Sequence, residues 1–173
     1  MRVITLWQPW ATLVHIGAKP FEFRSWRPPE RLVGTRIVNH AAARPLNMND
    51  VTRLIRHLES DHRDIVTATC LHPEIALPYL RSLRDGTGAA PLGVGLGSFE
   101  LGEPRNGVDI ARDFGLTKVN DSERDFHANW GWPVLDYEAF DEPIEARGRQ
   151  GLWTWPEPAD AGFETSRTVE KVG

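Results

Sequence analysis

LWQPWATLVHIGAKPFEFRSW, residues 6–26, changes its apolar period once, at Gly17, and that change decides the fold. Before it, Trp10, Leu13 and Val14 fall at i, i+3 and i+4, one face of a helix. Pro9 suits a first helical turn and Gly17 a C-cap, so the spacing predicts a short helix over 8–16. After it the period is two. Phe21 and Phe23 point one way, and Glu22, Arg24 and Trp26 point the other, which predicts a strand over 20–26.

The same reading extends outward. RVITLW (2–7) and RIVNH (36–40) read as strands, separated by a proline-broken loop, RPPERLVGT. Val51, Leu54, Ile55 and Leu58 keep helical spacing behind an N-cap at Asn47 or Asn49. Ala76, Tyr79, Leu80 and Leu83 repeat that spacing, with Pro78 predicting a late start or a kink and Gly86 a stop. PLGVGLGSFELGE (91–103), WGWPVLDYEAF (130–140) and GLWTW (151–155) return to strand character, while 105–128 is polar without a clear period. The expectation is one α+β domain over 1–156, a small β-barrel with a short N-terminal helix and an external helical insertion at about 46–86. The polar tail, 157–173, is expected to be flexible.

Composition excludes several classes. Cys70 is the only cysteine, so no internal disulfide forms and a reducing, cytoplasmic setting is expected. No apolar run reaches membrane-spanning length, and MRVITLWQPW lacks a signal-peptide pattern. His57, His62, His72 and Cys70 show no ligand spacing, so neither a metal nor a cofactor is expected. Net charge is −4, but residues 1–60 hold 9 basic against 4 acidic side chains. That basic first third attracts phosphate locally even though the whole chain is acidic.

Lys19, Glu22 and Arg24 sit among aromatics, where charge is costly unless something offsets it. Two arrangements satisfy them. They form a structural ion cluster, or they hold a ligand, with Arg24 on a phosphate, Glu22 on an exocyclic amine and Trp26 stacked on a base. Trp7 and Trp10 are further candidates for a stacking wall, though Trp10 on an apolar helix face suits core filling better. Gln8 either caps the helix or reads a base edge. His40 ends a strand and serves as a hydrogen-bonding group or an acid–base group. GVGLG lacks the Lys-Ser/Thr of a phosphate loop and reads as glycines in a twisted strand.

Gln8, Pro9, Trp10, Gly17, Lys19, Glu22, Arg24 and Trp26 together resemble the opening signature of the ASCH domain family, which belongs to the PUA-like superfamily. PLGVGLGSFELGE resembles the family's central strand. Gly148, Gln150, Gly151, Leu152 and Trp153 resemble its closing motif, so the resemblance spans about 3–156. Thr5 and Trp7 depart from the usual residues. The resemblance implies a PUA-like barrel whose cleft, beside the first helix, takes RNA or a nucleotide-like ligand. DNA offers the same phosphates and bases. It implies Lys19, Glu22 and Arg24 as the polar groups of that cleft, as a catalytic set if the protein is an enzyme, with Gln8, Trp10, Trp26, His40, Gln150 and Gly151 as ligand-binding neighbours.

The alternative is hydrolysis in the same cleft, by a metal-independent ribonuclease or an amidohydrolase acting on modified cytidine. In that reading Lys19 acts as a base if desolvation lowers its pKa. The small amidohydrolases that this family resembles use a Thr nucleophile three residues after the Lys, and here that position is Glu22. A third reading is a protein whose helical insertion docks a partner.

Overall fold

Arg2–Leu6 forms β1, Trp10–His15 forms α1 and Phe21–Arg24 forms β2 in the computed structural model, which describes residues 1–60, 69–121 and 128–156. The tail at 157–173 and His62 lie outside the described residues. The turn between α1 and β2 follows from Gly17, whose φ of +76° is the left-handed conformation glycine tolerates. Ala18 and Lys19 then both return their N–H groups to the Leu13 carbonyl, at 2.9 and 3.0 Å. This tight closure turns Lys19 into the body of the protein.

β3 (Arg36–Ala41) lies parallel to β1, with Leu6 opposite Ala41. β4 (Val94–Leu101) runs antiparallel to β3, and β6 (Trp130–Glu145) runs antiparallel to β4. The first residues of β6 also pair with β2 and with the short β5 (Arg105–Asn106). β7 (Leu152–Thr154) pairs with β1. The path is β2-β6-β4-β3-β1-β7, a mixed sheet curled into a half-barrel. The α+β class is as expected from the sequence.

The curl depends on β6, which runs to Glu145 rather than stopping near Phe140. At Asp136 its φ is +42°. Arg36 holds that irregular residue twice, from Nη1 to Oδ2 at 2.9 Å and from Nη2 to the carbonyl at 2.8 Å. The pairing of β4 with β6 shifts register on both sides of Gly97, the behaviour of a bulged, strongly twisted pair. Gly95 and Gly97 of GVGLG are close-approach positions, and Gly93 has a φ of +68°. A Cβ on Gly97 would lie 2.4 Å from the Glu138 carbonyl and 2.8 Å from the Tyr137 hydroxyl.

The helical insertion is two helices, α2 (Met48–Glu59) and α3 (Pro73–Arg84), and Asn47 caps the first by accepting from Asn49 N. Pro78 lies inside α3 without ending it. α1 is shared between two cores. Ala11 and Val14 pack on the sheet with Ile4, Ile37, Phe99 and Trp132, while Leu13 packs on Val51, Leu54, Ile55 and Leu80. Neighbouring residues of one short helix thus tie the insertion to the sheet. A further helix, α4 (Gly107–Asp113), occupies part of the stretch that sequence periodicity left unassigned, capped by Asn106 accepting from Val108 N.

Gly97→Ala should destabilise the domain by about 1–3 kcal/mol, because backbone rather than a flexible side chain blocks the new methyl. Urea unfolding should show a lower midpoint at unchanged slope. An unchanged midpoint would mean the β4–β6 approach is looser than described.

Candidate functional site

Lys19 leaves the Gly17 turn and enters a closed setting. Its side chain is 0% exposed. Nζ donates to the Phe21 carbonyl at 2.6 Å and to Glu22 Oε2 at 2.9 Å, and it lies 2.8 Å from Asp121 Oδ2. Trp10 and Phe23 present their rings at 5.6 and 5.4 Å from the ammonium. An ammonium has three N–H groups, and here three oxygens receive them. Glu22 is equally committed, because its second oxygen sits 3.0 Å from Arg24 Nη2.

The chain Arg24–Glu22–Lys19–Asp121 has two positive and two negative members. Burial, the largest single influence on Lys19, pushes its pKa down, but Asp121 and Glu22 outweigh it and the net direction is up. Lys19 therefore stays charged at neutral pH. Its stabilisation is present below the ordinary value of 10.5 and is lost only as pH rises through the folded value. Cys70 is buried close by and its thiol is pushed up to about 12, mainly by that burial. It is an inert filler at neutral pH rather than a nucleophile.

Arg24 is where this buried chain meets solvent, with 23% of its side chain exposed. It lies opposite Trp130 in the β2–β6 pairing. Trp26, just past the end of β2, is 41% exposed, and its carbonyl accepts from Trp132 Nε1 at 3.2 Å. The two indoles meet edge to face at 4.7 Å. Arg27 places its guanidinium 5.5 Å from the Trp130 ring and pairs with Glu103 at the surface. The outer end of the β2–β6 pair thus carries two guanidiniums, one exposed indole, Trp26, and one half-buried indole, Trp130.

The other residues singled out from the sequence are placed as follows. Gln8 accepts from Thr12 N at 3.2 Å and donates to the Pro91 carbonyl at 2.8 Å, so its amide caps α1 and anchors a loop. Trp10 is half-buried between the two cores. His40 is fully buried, bonded through Nε2 to the Ala146 carbonyl at 2.9 Å, with Nδ1 unpartnered. Burial pushes its pKa down. Gln150 and Gly151 are exposed just before β7, at the opposite end of the strand order from Glu22.

The structure brings Lys19, Glu22, Arg24 and Trp10 together and puts His40, Gln150 and Gly151 elsewhere on the sheet. Sequence reading missed Asp121, which lies in the aperiodic polar stretch. One signal was available: Lys19, Glu22 and Arg24 sum to +1, and a buried set of that charge calls for another carboxylate. Two hollows among the described residues are lined by other side chains than Lys19, Glu22 and Arg24. One of about 50 Å³ is lined by His57, Cys70 and Phe114, and another is lined by Asn106, Lys118 and Asn129. No described group of His, Cys, Asp and Glu is arranged to hold a metal, and no described helix is long and apolar enough to cross a membrane.

Removing the ammonium should leave two buried carboxylates facing each other. Lys19→Met should lower stability by about 3–5 kcal/mol at pH 7.5 in urea unfolding. A loss under about 1 kcal/mol at neutral pH would contradict the ion cluster.

No family model matches the sequence, and no curated protein does. Solved structures do. The chain is similar to the ASCH protein of Zymomonas mobilis, with a TM-score of 0.47 and 15% identity, covering 92% of this chain and 89% of that one. A mutant of the same protein gives a TM-score of 0.46 at the same identity and coverage. Both are structures of the family that residues 8–26 resemble.

Proposed function

We propose that this chain is a binding module for single-stranded RNA or a nucleotide-like ligand. Its contact surface is Arg24, Trp26, Arg27 and Trp130, and Lys19 with Glu22 holds that surface from beneath. The observation that supports this reading most is the grouping of two guanidiniums with the exposed Trp26 indole and the half-buried Trp130 indole at one end of β2 and β6. Every base has a face that an indole can stack on, and a planar guanidinium matches phosphate oxygens in pairs. Single-stranded RNA presents both groups at once.

Arg24 is fixed for this role. Glu22 draws its guanidinium toward the sheet while part of it remains in solvent. Glu22 is itself fixed by Lys19. Such preorganisation lowers the ordering cost of binding. Hydrolysis would need a base free to take a proton. Lys19, charged and bonded on three sides, is not in that state, and both oxygens of Glu22 already have cationic partners.

Fluorescence anisotropy with a labelled single-stranded RNA of about twelve nucleotides, at low salt, tests the proposal. Binding should weaken as salt rises. Trp26→Ala should weaken it roughly tenfold, and Arg24→Ala should weaken it and flatten the salt dependence. Competition by the matching DNA and by mononucleotides ranks the ligand classes. Wild-type affinity in both variants, or no binding at low salt, would overturn the proposal.

A further inference from the structure

The opposite end of the sheet carries a second set of cations and an indole that the proposed contact surface does not use. β1 and β3 run parallel and end together at Leu6 and Ala41. β4 begins opposite Ala41, at Val94, and β6 ends opposite Val94, at Glu145. The chain must then travel from Glu145 to Leu152, which pairs with Ile4. Residues 146–151 therefore cross the ends of β3 and β1. Trp7 and Arg44 lie just beyond those same ends.

The crossing is pinned rather than loose. Ala146 donates to the Gly93 carbonyl at 3.0 Å and accepts from His40 Nε2. Gly148 lies flat on the strand ends, where a Cβ would meet His40 Cε1 at 2.7 Å and Thr5 Cγ2 at 3.3 Å. Arg147 and Arg149 stand exposed on either side of it. His40 and Thr5 precede Arg44 and Trp7 by four and two residues, so roughly 14 Å of chain at most separates the crossing from them. At that position Trp7 is 52% exposed, and the Arg44 guanidinium stacks 4.0 Å from its ring centroid.

Arg24, Arg27, Arg36, Arg53, Arg81, Arg84, Arg105 and Arg112 each face a carboxylate. Arg44, Arg147 and Arg149 have no carboxylate partner among the described residues, even though Glu145 ends β6 beside them. Arg2, Arg31 and Arg56 also face no carboxylate among the described residues, but only at this end do such cations gather beside an exposed indole. A guanidinium held over an indole face by cation–π attraction leaves N–H groups open to phosphate oxygens.

We infer that this end of the sheet is a second contact site for single-stranded nucleic acid, with Arg44, Arg147 and Arg149 on phosphates and Trp7 stacking a base. The inference rests on the nucleic-acid reading given above and extends it from one surface to two. Three cations with no carboxylate partner among the described residues, beside an accessible indole, complement a polyanion whose bases are unstacked. The overall charge of −4 does not oppose this, because the cations are gathered at one place.

The test is anisotropy with the same twelve-nucleotide RNA, comparing wild type, R44Q/R147Q/R149Q, Trp7→Ala and the Arg24 and Trp26 variants. Circular dichroism and thermal unfolding monitor the fold of each. If three phosphate contacts are lost, the slope of log K against log salt should fall by about 2 in the triple variant. Trp7→Ala should weaken binding roughly tenfold. Wild-type slope in the triple variant, with binding still lost in Trp26→Ala, would overturn the second site and leave the first. Loss in the triple variant with wild-type binding in Arg24→Ala and Trp26→Ala would support this site and overturn the other. Absence of RNA binding at low salt would overturn both, as would binding of polyglutamate in place of RNA that is lost in the triple variant.

Discussion

A buried ammonium with three acceptors is the constraint on which the rest depends. Lys19 is taken wholly out of water, and only full hydrogen bonding with two carboxylates makes that tolerable. Its acceptors come from distant parts of the chain. Phe21 and Glu22 belong to β2, while Asp121 belongs to the connection between α4 and β6. The rings around it come from α1 and β2. One side chain thus fixes the position of a helix, an end strand and a remote loop together.

That fixation has a directional consequence. Charge is handed outward from Lys19 to Glu22 and then to Arg24, and the chain of ion pairs ends at solvent. The buried members are saturated and have no donor or acceptor to spare for a guest. The outer member and the indoles beside it do. Structural and functional readings of the Lys-Glu-Arg motif are therefore compatible: its inner half is architecture, and its outer half is available for recognition.

The fold was legible where local signals agreed. The change of period at Gly17 gives α1 and β2, because a left-handed glycine and an alternating strand leave marks in adjacent residues. The insertion was legible as helix from Val51, Leu54 and Ile55, and these residues are buried as that spacing requires. The reach of β6 to Glu145 was not, since its outer residues are exposed and polar and only pairing with β4 keeps them extended. α4 was missed because a seven-residue helix shows barely two turns of pattern. At the site, Lys19, Glu22 and Arg24 stood out because charge among aromatics is conspicuous. Asp121 did not, because an aspartate in a polar stretch looks ordinary until its partner is known. Gln8 had two readings that sequence could not separate, and its bonds to Thr12 and Pro91 commit the amide to the fold.

The central claim is that Lys19 is structural while the indole and guanidinium surface outside it meets the ligand. Nitrogen-15 NMR of lysine ammonium and tryptophan indole groups, during titration with the twelve-nucleotide RNA at low salt, tests it most directly. The account predicts that the Trp26 indole resonance moves while the Lys19 ammonium stays in place and remains protected from exchange. A shift or loss of the Lys19 signal on binding, with the Trp26 indole unmoved, would contradict it.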